Sequence, residues 1–298
     1  MEVLLPRVTE YGNRGRLGAD ARAGRDADRP REDRKAIHGS ISLSDPLPVP
    51  DGAATAGAAR AELDRLLETD APAVMDILPE GFADRVERYV ALLMAANATR
   101  NLTRIVDPEP IARLHLLDAL SALPTIDALA PSRAADLGSG GGVPGIVLAI
   151  ARPAVSWTLI DSVARKADAL RSFADALALP NVEVVAERAE DLGRDPGHRE
   201  RYDLVTARAC AALPVLLEYA LPLLAVGGSL VAWKGLLGDE ELRTGRAAAA
   251  QLGGGEPEVA PTGMRSLGEH RFVKVRKVKA TGSRFPRRPG EPSRRPLG

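Results

Sequence analysis

The sequence predicts an α/β protein: a doubly wound, Rossmann-like sheet with a small helical lobe on its N-terminal side. From residue 134 onward, short apolar runs typical of buried strands alternate with segments of helical pattern. A glycine-rich stretch, DLGSGGGVPG at 136–145, joins the first apolar run to the first of these helices. Strands that alternate with helices form a parallel sheet covered on both faces, and such sheets bind ligands beyond the carboxyl ends of their strands.

Helices are predicted ahead of the glycine turn. The later of two helices is expected to run from Asp107, a good N-cap followed by proline at the first helical position, to about residue 120. We assign residues 59–125 to the helical lobe. In the first helix, apolar residues recur at helical spacing on one face: Phe82, Val86, Tyr89, Val90 and Leu93.

The sheet region is assigned to residues 126–279 and contains five strands followed by a later one. Helical segments are expected between the strands, around 143–151, 162–178 and 212–224. The five strands are predicted at 134–137, 156–161, 182–186, 202–206 and 229–233, and the later strand at 272–278.

Both ends of the chain have unusual compositions. Residues 1–58 carry nearly balanced charge and almost no large apolar periodicity, which predicts a disordered N-terminal extension. Residues 280–298 form a basic, proline-rich tail. Between 274 and 298 there are nine Lys or Arg residues against one acid, Glu291. This tail is expected to be either an extended phosphate-binding arm or solvated disorder.

The overall composition limits the classes of protein to which the chain can belong. Basic and acidic residues balance at 40 each, so attraction to a polyanion must come from local clusters. The single cysteine, Cys210, excludes a disulfide within the chain and a cysteine-rich zinc site. No stretch of 18 uninterrupted apolar residues occurs, and no apolar signal core stands at the start. We therefore expect a cytoplasmic protein without a metal or a membrane partner, and a monomer by default.

The glycine turn predicts a cofactor site, because it places backbone N–H groups and a helix N-terminus around a ligand. Gly140, Gly142 and Gly145 satisfy the dinucleotide fingerprint, and Asp161 lies 21 residues past Gly140, where a ribose-binding acid belongs. Asp136, just before the first glycine, suits a ligand with a cationic amino-acid end, such as S-adenosylmethionine, better than a pyrophosphate. The turn alone leaves both cofactor classes open, and Asp136 favours S-adenosylmethionine.

Several motifs in order resemble those of one family. They are NxxxNLT at 97–103, HxxD at 115–118, DLGSGGGVPG, LIDS at 159–162, RAE at 188–190, ARA at 207–209 and WKG at 233–235. In this combination the chain resembles the RsmG (GidB) methyltransferases, which transfer a methyl group from S-adenosylmethionine to guanine N7 in 16S ribosomal RNA. The likeness spans most of 80–298. It implies a class I methyltransferase sheet, with the late strand as its antiparallel edge.

The chain departs from the family pattern at two positions, and the resemblance implies a set of cofactor contacts. Departures from the family pattern occur at Ala96, where a tryptophan is common, and at Ala119, where a serine is usual. Both lie in the helical lobe and leave the cofactor site untouched. Carried over position by position, the implied cofactor contacts are Gly138, Val143, Ala189, Glu190 and Arg208, which join Asp136, Gly140 and Asp161.

Methylation of guanine N7 requires no general base, because N7 already offers an unprotonated lone pair. We therefore assign no catalytic residue and expect the rate to come from alignment of the two reactants. Arg208 follows a strand end and is a candidate contact to the cofactor or to guanine. Cys210 could instead be a nucleophile toward a cytosine carbon, although a cysteine acting as a small apolar residue is the commoner state.

Other polar residues allow two interpretations each. His115 and Asp118 share one helix face and either touch the substrate or tie the lobe to the sheet. Asn97 could brace backbone. Lys234 could meet a phosphate or be solvated, and Trp233 could stack on a base or be buried in the sheet.

Two further function classes stay open from the residues. One is a methyltransferase of the same fold acting on protein or a small molecule, and the other is a nicotinamide-dependent oxidoreductase. The resemblance favours 16S rRNA, free or within the small ribosomal subunit, as the partner.

Overall fold

The computed structural model describes residues 52–298, which fold around one sheet. None of the helices in this range is long and apolar enough to cross a membrane. Six helical segments precede the sheet: α1 (Gly52–Asp70), α2 (Pro72–Met75), α3 (Phe82–Arg100), α4 (Pro108–Pro110), α5 (Asp118–Leu120) and α6 (Leu123–Leu129), with a π-helix at Ile111–Leu117 between α4 and α5. The later helices are α7 (Gly145–Ala151), α8 (Ala164–Ala176), α9 (Ala189–Leu192), α10 (Leu213–Ala220), α11 (Asp239–Leu252) and α12 (Glu291–Arg294).

The sheet contains seven strands within the described residues, in the order β3-β2-β1-β4-β5-β7-β6. The first five strands are parallel, and β7 pairs antiparallel with both β5 and β6. The predicted doubly wound sheet and the antiparallel orientation of the late strand are therefore confirmed, but β6, and not the late strand β7, forms the edge of the sheet. The strands are β1 (Arg133–Leu137), β2 (Ser156–Ile160), β3 (Val182–Val185), β4 (Tyr202–Arg208), β5 (Leu224–Lys234), β6 (Glu258–Pro261) and β7 (Arg271–Arg276).

Side chains alternate between two cores, one on each face of the sheet. On β4, Leu204 belongs to the core beneath α1, α3, α7 and α8, whereas Val205 and Ala207 belong to the core beneath α10 and α11. The helices of the predicted lobe thus have no separate core. They share the first core with the sheet, and the described residues 52–298 form one compact unit.

The predicted boundary of the disordered N-terminal extension is wrong at its C-terminal end. Residues 52–58 belong to α1, and residues 1–51 lie outside the described part of the chain. Thr55 and Ala56 are buried, and a side chain at Gly52 would lie 3.2 Å from Ala91 O on α3. Small residues let the two helices approach closely, so this segment buries a face without the large apolar residues on which the prediction relied.

Helix α11 and strand β6 are among the elements that were not expected from the sequence. Helix α11 was missed because its buried face consists of Gly245, Ala248, Ala249 and Leu252, which give a weak apolar signal. Strand β6 falls between the strands predicted at 229–233 and 272–278, where no strand was predicted. It is an edge strand, and its half-exposed side chains carry no clean alternation.

The C-terminal tail is neither an extended arm nor solvated disorder. Thr281 donates a side-chain hydrogen bond to Leu252 O (2.6 Å), and Arg199 donates to Thr281 O (2.6 Å) and Phe285 O (2.8 Å). Lys277, counted among the basic residues of the tail, is fully buried and donates to Leu221 O and Leu224 O. The segment folds back against the second core.

An ion pair fixes the middle of the tail. Glu218 on α10 is 0% exposed, and its carboxylate accepts hydrogen bonds from Arg287 N (2.8 Å) and Arg287 Nε (2.9 Å). Arg288, the next residue, is exposed. Sequence alone could not distinguish the two arginines, because the partner of Arg287 lies 69 positions away.

We expect Arg287→Ala to lower the free energy of unfolding by about 3 to 5 kcal/mol, because it leaves the Glu218 carboxylate buried without its partner. Arg288→Ala, the matched control, should change it by less than about 0.5 kcal/mol, as exposed substitutions usually do. Urea unfolding of the two variants measures this difference. Equal stability of both would mean that the tail is not held by the ion pair.

Candidate cofactor and substrate site

The glycine turn after β1 is built from residues that need glycine backbone. Gly142 has φ +102°, and a Cβ there would lie 2.8 Å from the Ile146 side chain. A Cβ at Gly145 would lie 2.7 Å from Asp136 Oδ2. The turn is braced from the helical side, where Tyr89 Oη donates a hydrogen bond to Gly141 O (2.7 Å). The turn therefore packs tightly between β1, α7 and α3.

Asp161 connects this turn to the end of β2. Its Oδ2 accepts a hydrogen bond from Gly140 N (2.9 Å), and its Oδ1 accepts one from Val163 N (2.9 Å). The residue lies on the wall of a cavity, as a ribose-binding acid should. Each carboxylate oxygen has a second lone pair, so these two bonds leave acceptor capacity for a ligand.

Two cavities meet at Gly138, which lines both. One, of about 220 Å³, lies beyond β2 and β3, and the other, of about 210 Å³, lies between the glycine turn and the helical side. Of the predicted cofactor residues, Gly138, Asp161, Ala189 and Glu190 line the first cavity, and Gly138, Gly140, Val143 and Arg208 line the second.

Asp136 is the exception among the predicted contacts. It is 0% exposed and lines neither cavity, so its contact with a ligand stays a prediction. Position 136 points into the first core, where Thr206 Oγ1 donates a hydrogen bond to its Oδ1 (2.7 Å) while Oδ2 has no partner. Burial raises its pKa to about 6, and the Thr206 bond opposes that rise. At neutral pH, Asp136 therefore places a negative charge beneath the turn.

Arg208, at the end of β4, links the sheet to the π-helix. Its guanidinium donates a hydrogen bond to Asp118 Oδ2 (3.1 Å), another to Leu114 O and a third to His115 Nδ1 (3.2 Å). Asp118 is buried, so this ion pair is largely shielded from water. Of the two interpretations of the HxxD motif, the tie between helices and sheet is the one observed.

The protonation state of His115 follows from its neighbours. Its Nδ1 lies nearer to Arg208 Nη2 (3.2 Å), which can only donate, than to Leu114 O (3.4 Å), so Nδ1 is assigned as the acceptor and Nε2 as the donor to Thr103 Oγ1 (2.9 Å). Burial and the positive charge of Arg208 lower the pKa of His115 to about 4. His115 is thus neutral near pH 7.

Asn97 braces the loop that meets His115. Its Oδ1 accepts hydrogen bonds from Leu102 N (2.7 Å) and Thr103 N (2.9 Å). The interpretation of Asn97 as a backbone brace is therefore confirmed. Through Thr103, the NxxxNLT and HxxD motifs form one network with Arg208 of the ARA motif.

A third cavity, of about 430 Å³, adjoins the second and shares Arg208 and Ala209 with it. Trp233 and His270 form part of its wall. Trp233 is buried, donates from Nε1 to Asp118 O (2.7 Å) and meets Phe272 edge to face. His270 lies close to Asp118, with Nδ1 3.0 Å from Oδ1. Burial of Trp233 in the sheet is thus observed, and its edge still borders the cavity.

Lys234 takes neither of the two roles considered for it. Its ammonium donates hydrogen bonds to Ala211 O (2.8 Å) and Glu241 Oε1 (2.8 Å). It lines the third cavity while fixing the loop that follows β4.

Cys210 lies on the wall of the first cavity and is exposed there. Desolvation by its surroundings raises the pKa of the thiol to about 11, and the charges of Asp136 and Asp161 act in the same direction. A thiolate is the species that attacks carbon, so this environment opposes the covalent mechanism.

Several residues of the site were missed from the sequence. Thr206 is paired with Asp136 across β1 and β4, and Tyr219 on α10 lines the first cavity. His270 enters from the segment before β7. The alternation of side chains along β4 could have predicted that Thr206 lies on the same face of the strand as Arg208. No sequence signal identified Tyr219 or His270, because both lie far along the chain from the motifs.

The sheet order, the antiparallel β7, the glycine turn and the acid at the end of β2 together define a class I S-adenosylmethionine-dependent methyltransferase. The profile of the rRNA small subunit methyltransferase G family (GidB) matches residues 83–266. The chain belongs to this family.

Curated relatives carry the name ribosomal RNA small subunit methyltransferase G. The one from Deinococcus deserti is 42% identical over 224 residues, which cover 75% of this chain and 91% of the relative. The one from Roseiflexus castenholzii is 44% identical over 72% of this chain and 91% of its own. The Symbiobacterium thermophilum relative is 39% identical and is covered over its full length, with 76% of this chain matched.

We expect the stability of the protein to depend on the protonation of His115. Its pKa falls from an ordinary value of about 6.5 to about 4, so the folded chain binds fewer protons than the unfolded chain between these values. The free energy of unfolding should therefore fall as the pH decreases from 6.5 to 4, by on the order of 2 to 3 kcal/mol.

The control for this prediction is His115→Gln, which does not titrate. The raised pKa of Asp136 acts in the opposite direction and is present in both proteins, so the difference between their unfolding curves isolates His115. Urea unfolding at several pH values measures it, and parallel pH profiles would contradict the assignment.

Proposed function

We propose that this chain is an S-adenosylmethionine-dependent methyltransferase that acts on guanine N7 of 16S ribosomal RNA. The observation that carries the proposal is the row of three adjoining cavities along the carboxyl ends of the strands. Gly138 joins the first cavity to the second, and Arg208 joins the second to the third. Such a row suits a cofactor and a base placed end to end.

The residues of the first two cavities fit the cofactor. Asp161 has acceptor capacity for ribose hydroxyls, and Ala189 and Glu190 lie where the family resemblance puts the adenine. The buried carboxylate of Asp136 places negative charge beneath the glycine turn, which favours a cationic amino-acid end above it. When bound, the cofactor supplies an electrophilic methyl group.

The third cavity is the site that we assign to the target base. Trp233 and His270 give it flat walls, and Arg208, which is paired with Asp118, lies at its border with the second cavity. Guanine N7 needs no proton removed, so the chain's own residues act by holding the base and excluding water. The neutral His115, held between Thr103 and Arg208, keeps Arg208 oriented.

Exposed cations near the cavities suit an RNA substrate. Arg104 stands between Thr103 and Ile105, which line two of the cavities, and Arg165 and Arg188 follow β2 and β3. Because the net charge of the chain is zero, such local clusters must supply the attraction to phosphate. We propose a monomer that works in the cytoplasm on free 16S rRNA or on a particle of the small subunit.

The direct test incubates the purified protein with S-adenosylmethionine and either naked 16S rRNA or small ribosomal subunits, followed by mass-spectrometric mapping of methylated nucleotides. We expect 7-methylguanine at one position of 16S rRNA. Methyl groups found only in protein or metabolite fractions would contradict the RNA substrate. Thermal stabilisation by a nicotinamide dinucleotide but not by S-adenosylmethionine would contradict the cofactor.

We expect Asp161→Asn to weaken S-adenosylmethionine binding by about 1.5 to 3 kcal/mol, the scale of hydrogen bonds to a charged acceptor. The asparagine side chain has one oxygen and one NH2 group, so it can accept from only one of Gly140 N and Val163 N. The variant should therefore also lose some stability. Asp168→Asn, on the exposed face of α8, is the matched control and should bind normally. Calorimetric titration measures the affinity for S-adenosylmethionine. An unchanged affinity in folded Asp161→Asn would contradict the assignment of Asp161 to the cofactor site.

A further inference from the structure

The C-terminal strap, residues 281–298, packs behind the wall of the first cavity. It contains α12 and is packed on the second core through Phe285 and Leu297. The sequence motifs assign it no role in cofactor binding. Its inner face nevertheless contacts two side chains that line the first cavity.

The first contact is made by backbone. Gly290 N donates a hydrogen bond to Glu190 Oε1 (2.8 Å) across 100 positions of the chain. Glu190 is 2% exposed, and the nearest guanidinium nitrogen, Arg188 Nη1, is 3.8 Å from Oε1, too far for a hydrogen bond. The orientation of this buried carboxylate therefore depends on the strap.

The second contact is made by side chains. Ser293 Oγ and Tyr219 Oη are 2.8 Å apart, and Tyr219 forms part of the cavity wall. Upstream, the bonds from Arg287 to Glu218 hold the strap in register against α10, the helix that carries Tyr219. One anchored segment thus reaches both α9 and α10 on the same side of the cavity.

We propose that the strap is a positioning element for the adenosine end of the cofactor: Gly290 and Ser293 hold Glu190 and Tyr219 in the arrangement that binds it. The proposal rests on the proposed function, which assigns this cavity to the cofactor. It predicts that S-adenosylmethionine and S-adenosylhomocysteine, which share the adenosine, depend on the strap equally.

The test compares two variants that lose the same arginines. Truncation after Pro289 removes Gly290, Ser293, Arg294 and Arg295 but keeps the ion pair of Arg287 with Glu218. The double variant Arg294→Ala/Arg295→Ala removes the same positive charges and keeps the contacts to the cavity. Titration calorimetry with both nucleosides, at a temperature where all proteins are folded, gives the dissociation constants.

We expect the truncated protein to bind both nucleosides about tenfold more weakly, because a hydrogen bond to a charged carboxylate is lost. The double variant should bind them within twofold of the intact chain, as exposed arginines outside the cavity should. Both variants lose Arg294 and Arg295, so any change in KM for RNA should be the same in the two. Ser293→Ala, which removes a single hydrogen bond, should weaken nucleoside binding about threefold and serves if the truncated chain does not fold.

Wild-type affinity in the truncated protein, or in Ser293→Ala if truncation prevents folding, would overturn the proposal. A lower melting temperature with unchanged dissociation constants would show that the strap only stabilises the fold, which also overturns it. Failure of the intact chain to bind either nucleoside would instead contradict the proposed function, so the two failures are distinguishable.

Discussion

The ion pair between Arg208 and Asp118 is the interaction on which the site depends. It joins the end of β4 to the helical segment that precedes the sheet, and it is largely shielded from water. The backbone carbonyl of Asp118 also accepts a hydrogen bond from Trp233 Nε1. Its second carboxylate oxygen, Oδ1, lies beside His270 Nδ1. Loss of either charge would leave the other in a low-dielectric environment, with a cost well above that of a surface pair. The wall shared by the second and third cavities is therefore set by one buried contact.

The alternation of side chains along the strands explains why this contact forms. Thr206 and Arg208 lie on the same face of β4, so Thr206 meets Asp136 and Arg208 reaches the π-helix. Arg208 is in register with Trp233 on β5, and Trp233 with Phe272 on β7. A row of side chains across three strands thus covers one face at the carboxyl edge. Motifs separated by more than a hundred residues meet because the parallel topology brings strand ends together.

Much of the fold was predictable, because strands, helices and the glycine turn are local patterns. Gly138 and Asp161, which line the first cavity, were predicted as cofactor contacts in this way. The burial of Asp136 was not predicted, because the residue type was considered without the direction of its side chain. The strap was misjudged because composition does not reveal that Arg287 pairs with a buried glutamate on α10. Tyr219 and His270 escaped because each joins the site only through tertiary packing.

The most direct test of this account is a double-mutant cycle on Asp118→Ala and Arg208→Ala, with urea unfolding and the affinity for S-adenosylmethionine measured for all four proteins. The account predicts a coupling free energy of unfolding of about 2 kcal/mol or more, since each single variant leaves the other charge without its ion-pair partner, with Asp118 buried and Arg208 half-buried. It also predicts that either single variant weakens cofactor binding, because Arg208 lines the second cavity. Effects that add within about 0.5 kcal/mol would contradict the claim that this ion pair organises the site.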